Sequence, residues 1–303
     1  MLTVDIKKHI KNLRRHGLTK HEADIIIAEY VEADRVGQYS HGTSALPNLS
    51  KRLEERKGPV KILKDSGPIV YLDGQKELGQ LAAEKAVSML IAKTKRYGIG
   101  FVGLRNILPF MRPGTFVKKL ADKNLFALGM IDGGRPLVTH PDSPTPVIGT
   151  NPIAFGMPTA EGSLVVDMAT SKKAWGEVRQ ALKNKTSLPA NAYKDKSGKF
   201  TRDPKKAFSA VPFGDYKGFA LGMMVEILCG SFLGMEIGEL KPAKNSLARS
   251  RNAIFIAIDP SRFVALSKFK KETARFIKDI KSVKRNRGVK KLRIPGEASM
   301  RLR

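Results

Sequence analysis

The sequence predicts a fold of the α/β class, α+β in type, with helices and strands mixed along the chain. Three features point there. Helical periodicity fills the first part of the chain, short apolar runs of strand character recur after about residue 75, and a lone glycine motif sits where a dinucleotide-binding turn cannot form. With 303 residues, 42% hydrophobic and 27% charged, the chain is long enough for two ordinary domains or one large one and too apolar to stay disordered.

The elements follow in order. Ile6, Ile10 and Leu13 share a helical face, and Gly17 stands where a helix commonly stops. Thr19-Lys20-His21-Glu22 has the form of a capping box, opening a second helix through Ile26, Ile27, Tyr30 and Val31 to about Val36. The glycine-bracketed turn Gly37-Gln38-Tyr39-Ser40-His41-Gly42 then places a histidine just beyond a helix. A short helix over Asn48 to Arg56 and a strand at Ile69 to Leu72 precede a domain boundary near residue 75.

A long amphipathic helix, Glu77 to Arg96, leads to strand-like runs at Ile99 to Leu104, Leu125 to Ile131, Pro152 to Phe155 and Leu164 to Val166. The polar stretch Asn191 to Pro212 reads as a surface excursion. Gly218 to Gly230 is nearly continuous apolar sequence with Glu226 as its one charge, read as a buried helix too short to span a bilayer. A strand over Ala253 to Ile258 and a basic amphipathic helix carrying Phe269, Phe276 and Ile280 complete the order.

Composition bounds the function. The start MLTVDIKKHIKN lacks an apolar leader, which predicts a cytoplasmic protein without a membrane anchor. The single cysteine, Cys229, can form neither an internal disulfide nor a cysteine-based zinc site, and its apolar neighbours place it in the core. A net charge of +27 attracts polyanions at low salt. Lysine and arginine are nevertheless spread through every segment, and only Lys268 to Arg303, with fourteen basic and three acidic residues, is dense. A solvated helix face is the better reading there than a nucleic-acid surface.

Gly98, Gly100 and Gly103 spell GxGxxG, but a helix precedes them and strand residues lie between them, so no helix N-terminus is free to meet a pyrophosphate. No Walker sequence, no histidine pair at metal-binding helical spacing and no GxSxG elbow occurs. Among five histidines, His9, His16 and His21 fall on exposed helix faces and His140 in a Pro-rich loop. His41 is the candidate acid/base, because a neutral imidazole can take a hydroxyl proton near pH 7 and return it.

Five ordered blocks carry a resemblance: Tyr39-Ser40-His41-Gly42, Gly149 to Pro158, Val166-Asp167-Met168-Ala169-Thr170-Ser171, Tyr216-Lys217-Gly218 and Pro295-Gly296-Glu297. The chain resembles the malate/L-lactate dehydrogenase family of the non-Rossmann type, whose members include ureidoglycolate, sulfolactate, diketogulonate and cyclic-imine enzymes. The resemblance implies an oxidoreductase interconverting a small 2-hydroxy acid and its 2-oxo acid with NAD or NADP, usually as a homodimer. It implies a helical domain from both chain ends (1–75 with about 205–250 and 280–303) and an inserted cofactor domain on a large mixed sheet (about 76–204 with 251–279). By the family pattern His41 exchanges the proton and Ser40 helps orient the substrate. Ser163, Asp167, Met168, Ala169, Thr170 and Ser171, with Tyr216, Lys217, Pro295, Gly296 and Glu297, hold the cofactor.

Three departures from the pattern bear on the substrate. Ala45 and Leu49 stand where the family has a carboxylate-binding arginine and tyrosine, Pro109 replaces a pocket histidine, and Asp132-Gly133-Gly134 replaces a threonine-asparagine pair. Arg105, Arg112 and Lys217 are the candidate substitute cations, and Arg112, within the displaced motif Met111-Arg112-Pro113-Gly114, is the expected one. The alternatives are a cyclic-imine or diketogulonate-type reductase, and a polyanion-binding or catalytically impaired protein on the same scaffold.

Overall fold

The computed structural model describes residues 5–110, 112–238 and 250–297. Met111 and the terminal portions of the expected helical spans lie outside them.

Helices α1 (Ile6–Arg15), α2 (Lys20–Arg35) and α3 (Leu49–Glu55) form the N-terminal cluster. The capping box is present in full: Thr19 Oγ1 accepts from the Glu22 N–H at 3.2 Å, while the Glu22 carboxylate accepts from the Thr19 N–H at 2.7 Å. Leu13, Ile26, Tyr30, Leu46 and Leu49 bury their side chains together there, and Leu78 and Leu108 join them from the neighbouring layer.

A seven-stranded sheet runs in the order β1-β2-β3-β11-β4-β7-β8. Its strands are β1 (Lys61–Ser66), β2 (Ile69–Asp73), β3 (Ile99–Ile107), β4 (Phe126–Ile131), β7 (Ile153–Thr159), β8 (Gly162–Met168) and β11 (Arg251–Ile258). Only β2 and β3 pair in parallel, so the sheet is mixed and unlike a doubly wound parallel one. A second sheet, β6-β5-β10-β9, is made of short strands: β5 (Val138–Thr139), β6 (Pro146–Ile148), β9 (Tyr193–Lys194) and β10 (Ser209–Ala210).

Strand alternation divides the large sheet between two cores. On β11, Ala253, Phe255 and Ala257 pack under helices α4 (Gly79–Tyr97) and α5 (Gly114–Ala121). Ile254 and Ile256 face the opposite side, where helix α7 (Tyr216–Cys229) supplies Val225 and Cys229. Helices α6 (Gly176–Asn184) and α8 (Leu266–Ser282) complete the list, α6 packing Val178 and Ala181 against the small sheet.

Residues 61–73, on the N-terminal side of the expected boundary near residue 75, pair into the large sheet. Likewise α7, from the 205–250 span placed with the terminal helices, lies on the sheet through Val225, Cys229 and Leu233. Asn191 to Pro212 is not a simple excursion: Tyr193 and Ala210 are fully buried and paired in the small sheet, because two-residue strands leave almost no periodic signal. With the turn after it, α7 makes an 18-residue apolar stretch, Tyr216–Leu233, long enough by length and composition alone to cross a bilayer. Glu226 inside it is buried and accepts from Asn151 Nδ2 at 2.7 Å, so this face packs on the protein, but Leu221, Met223, Met224 and Ile227 are exposed and the expected buried helix is buried on one face only.

The glycine motif plays the packing role its context predicts. Gly98 ends α4 at φ +80°, and a Cβ on Gly100 would crowd Leu90 and Thr94 at 2.6 and 2.9 Å.

Candidate active site

A cleft of about 820 Å³ opens where the turn after α2 meets the ends of β4 and β8 and the start of α6. Ser40 and His41 lie on its wall, on a single 3₁₀ turn, Tyr39–His41. This turn is braced from below: Thr43 donates to Asp34 through its N–H (3.0 Å) and its hydroxyl (2.6 Å). Ser40 Oγ lies 2.9 Å from His41 Nδ1, which fixes the imidazole and leaves Nε2 as the nitrogen available to a ligand.

The cleft is cationic. Arg52, Arg112, Arg135, Lys172, Lys173, Arg179 and Arg251 line it against the acids Asp132, Asp167 and Glu177, so an anion is the ligand it favours. Burial and the guanidinium charges of Arg112, Arg179 and Arg52 push the His41 imidazole down to about 4, so it is neutral at pH 7.

Asp167, the penultimate residue of β8, lies inside this cleft and accepts from the Gly114 N–H at the start of α5, at 3.1 Å. Burial raises its carboxyl to about 6, against the opposing pull of Arg112 and that N–H. Met168, Ala169 and Ser171 line the same wall. The backbone after β8 is fixed by Thr170, whose N–H and hydroxyl both donate to the Thr150 carbonyl at 3.0 and 3.1 Å. Thr150 belongs to a turn organised by Asn151, a fully buried side chain at φ +36°. Its amide donates to Gly222 O and Glu226 Oε2 and accepts from Gly133 N, so one residue joins the 133 turn, the 149 turn and α7.

The structure brings some predicted residues together and separates others. His41, Ser40, Arg112, Asp167, Met168, Ala169 and Ser171 share the cleft. Ser163 sits at the far end of β8, roughly 15 Å away at about 3.3 Å per strand residue, and donates to Asp122 Oδ1 at 2.5 Å. Tyr216 and Lys217 open α7 with their side chains exposed, outside the cleft lining. Pro295, Gly296 and Glu297 also lie outside it. Gly296, at φ +82°, backs onto the Val165 carbonyl so closely that a Cβ would collide, and Glu297 pairs with Lys281 and Lys291 at 3.1 and 3.3 Å. Those lysines, Lys281 foremost, hold the Glu297 carboxyl at about 2.

Arg112 is tied to α2: its backbone N–H donates to Glu29, Nη1 donates to Gln38 Oε1, and Nη2 lies 3.3 Å from Glu32. The sequence reading missed Arg52, Arg135, Lys172, Lys173, Trp175 and Arg179. The pair Lys172-Lys173 directly after the Ser171 block was the legible signal. α6 was harder to see, because its buried stripe is only Val178 and Ala181.

Comparison with known proteins agrees with this architecture. Residues 6–303 match the family model described as malate/L-lactate dehydrogenase. The chain belongs to this family. It is 32% identical to the malate/(S)-sulfolactate dehydrogenase of Methanothermus fervidus, over 90% of this chain and 83% of that protein. It is 33% identical to the Δ1-pyrroline-2-carboxylate/Δ1-piperideine-2-carboxylate reductase of Pseudomonas syringae pv. tomato, over 86% and 80% of the two chains. The solved sulfolactate dehydrogenase of Methanocaldococcus jannaschii superposes with a TM-score of 0.86 at 31% identity, covering 98% of this chain and 88% of that one. Membership makes the chain an oxidoreductase of hydroxy-acid dehydrogenase type, a class that works with a nicotinamide cofactor.

Proposed function

We propose that the chain interconverts a small 2-hydroxy acid and its 2-oxo acid, with His41 as the acid/base and NAD or NADP as the hydride partner. The observation that carries the reading is a neutral, positioned imidazole in an arginine-walled cleft.

The residues present fit a nicotinamide cofactor. The cleft volume lies within the range of ligand sites, and Asp167 to Ala169 and Ser171 line it together with His41. Lys172 and Lys173, beside Ser171, would face phosphate oxygens. When bound, the cofactor supplies or accepts the hydride at the substrate's C2.

The chain's own part in oxidation is proton removal. With Nδ1 engaged by Ser40, His41 Nε2 takes the proton of the 2-hydroxyl as the C–H electron pair leaves and the C=O bond forms. In reduction the same nitrogen returns the proton to the 2-oxo oxygen. The guanidinium field keeps the imidazole unprotonated until an anion enters, and the substrate's carboxylate offsets that field and readies His41 to hold a proton.

Nicotinamide oxidation by the purified protein, measured with a panel of 2-oxo acids and both NADH and NADPH, tests the reading. Turnover with at least one 2-oxo acid is expected, and none with any would refute it. Reduction of a cyclic-imine acid is the second reading, favoured by the Pseudomonas syringae relative and tested by supplying the imine with no oxo acid present. We also infer a homodimer. The exposed apolar side chains of α7, among them Leu221, Met223, Met224 and Ile227, support pairing of two copies, and sedimentation equilibrium at twice the 33.3 kDa chain mass is the expected result.

A further inference from the structure

We propose that Arg179, on α6, binds the substrate carboxylate next to the reacting carbon. The inference rests on the reading of the cleft as a 2-hydroxy-acid site.

Three guanidiniums act on His41: Arg112, Arg179 and Arg52. Two of them are held by the protein. The Arg112 guanidinium donates through Nη1 to Gln38 Oε1 and lies 3.3 Å from the Glu32 carboxylate through Nη2. Arg52 donates through Nη1 to the Pro109 carbonyl at 3.0 Å. Arg179 differs: it lines the cleft, is exposed to it, and has neither a hydrogen bond nor an ion pair among the described residues. Burial, and then the repulsion of its charged neighbours Arg135 and Arg52, draw its ionisation below the ordinary arginine value. An unpaired guanidinium between other cations is a place where a carboxylate is stabilised by every neighbour.

Its position relative to the acid/base is set by Gly176. A Cβ built on that glycine would lie 3.3 Å from Ser40 Oγ and 3.7 Å from Arg179 Nη2, so hydroxyl and guanidinium border the same small space. Ser40 in turn holds His41. In a 2-oxo acid the reacting oxygen and the carboxylate sit on adjacent carbons, which requires the cation and the acid/base to be neighbours. Arg179 meets that requirement with its fork free for bidentate binding.

Trp175 is the only tryptophan and lines the cleft beside Gly176, so its emission reports binding without turnover. Oxalate, a non-reacting carboxylate probe, is titrated into wild type, Arg179→Ala and Arg179→Lys, alongside NADH and NADPH titrations and thermal melts. The expected result is at least a tenfold rise in the oxalate Kd for Arg179→Ala, partial recovery in Arg179→Lys, and nicotinamide affinity within twofold of wild type. The KM for pyruvate, which has no second acidic group, rises by a similar factor, and added guanidinium ion restores part of the loss. Oxalate affinity within twofold of wild type in Arg179→Ala overturns the proposal even if the protein turns over 2-oxo acids. Arg179-dependent oxalate binding without any turnover sustains the anchor and instead refutes the proposed reaction.

Discussion

Acid should inhibit this enzyme much later than it inhibits one run by an ordinary histidine. The perturbation is pH, and the magnitude follows from His41. Its imidazole lies at about 4 instead of the usual 6.5, through burial and the charges of Arg112, Arg179 and Arg52. A shift of that size corresponds to about 3.5 kcal/mol at roughly 1.4 kcal/mol per unit. As the proposed base in oxidation His41 must be neutral, so falling pH removes activity only as it passes the depressed pKa. At pH 5 such a group is still about nine-tenths neutral, whereas one titrating at 6.5 would have lost roughly 25-fold relative to pH 7. The assay is kcat/KM for hydroxy-acid oxidation with saturating nicotinamide, from pH 4.5 to 9, because this parameter reports the form that meets the hydroxy acid. The profile should stay within twofold between pH 7 and pH 5. An acid limb with a midpoint near 6.5 that persists in Asp167→Asn, which removes the cleft carboxyl that titrates at about 6, would refute the guanidinium field as the force on His41.

Other outcomes follow from the supporting structure. Asn151→Ala removes an amide that serves Gly133, Gly222 and Glu226, and should destabilise the fold by about 2–4 kcal/mol, read in urea unfolding. Gly176→Ala places a Cβ 2.8 Å from Ser40 Cβ, so it should displace the Ser40–His41 turn and lower kcat/KM at least about tenfold, with little change in melting temperature. Arg112→Met removes the charge facing Glu32 and Asp167; a loss of about 3 kcal/mol in unfolding free energy is expected.

Most of the large sheet and the long helices could be read from periodicity, because burial on one face leaves a 3.6- or 2-residue pattern. The Thr19–Glu22 capping box was legible for the same local reason. What could not be read depends on pairing between distant residues. β1 is exposed along its length and carries no apolar alternation, and β5, β9 and β10 are two residues long. Within the site, the Ser40–His41 turn and the Asp167 to Ser171 block were legible as motifs. Arg179 was not, since a lone arginine on a short helix looks like any solvated charge until the fold sets it beside Ser40. Gly296 and Glu297, expected as cofactor contacts by family pattern, also fasten the C-terminal segment to β8 and to Lys281, contacts that no sequence pattern announces.

The proposed proton transfer by His41 is read out by single-turnover hydride transfer in His41→Asn. With nicotinamide and 2-oxo acid premixed at saturating concentrations, the rate should fall by at least about 100-fold while nicotinamide affinity stays within a few-fold of wild type. A His41→Asn rate within threefold of wild type would contradict it.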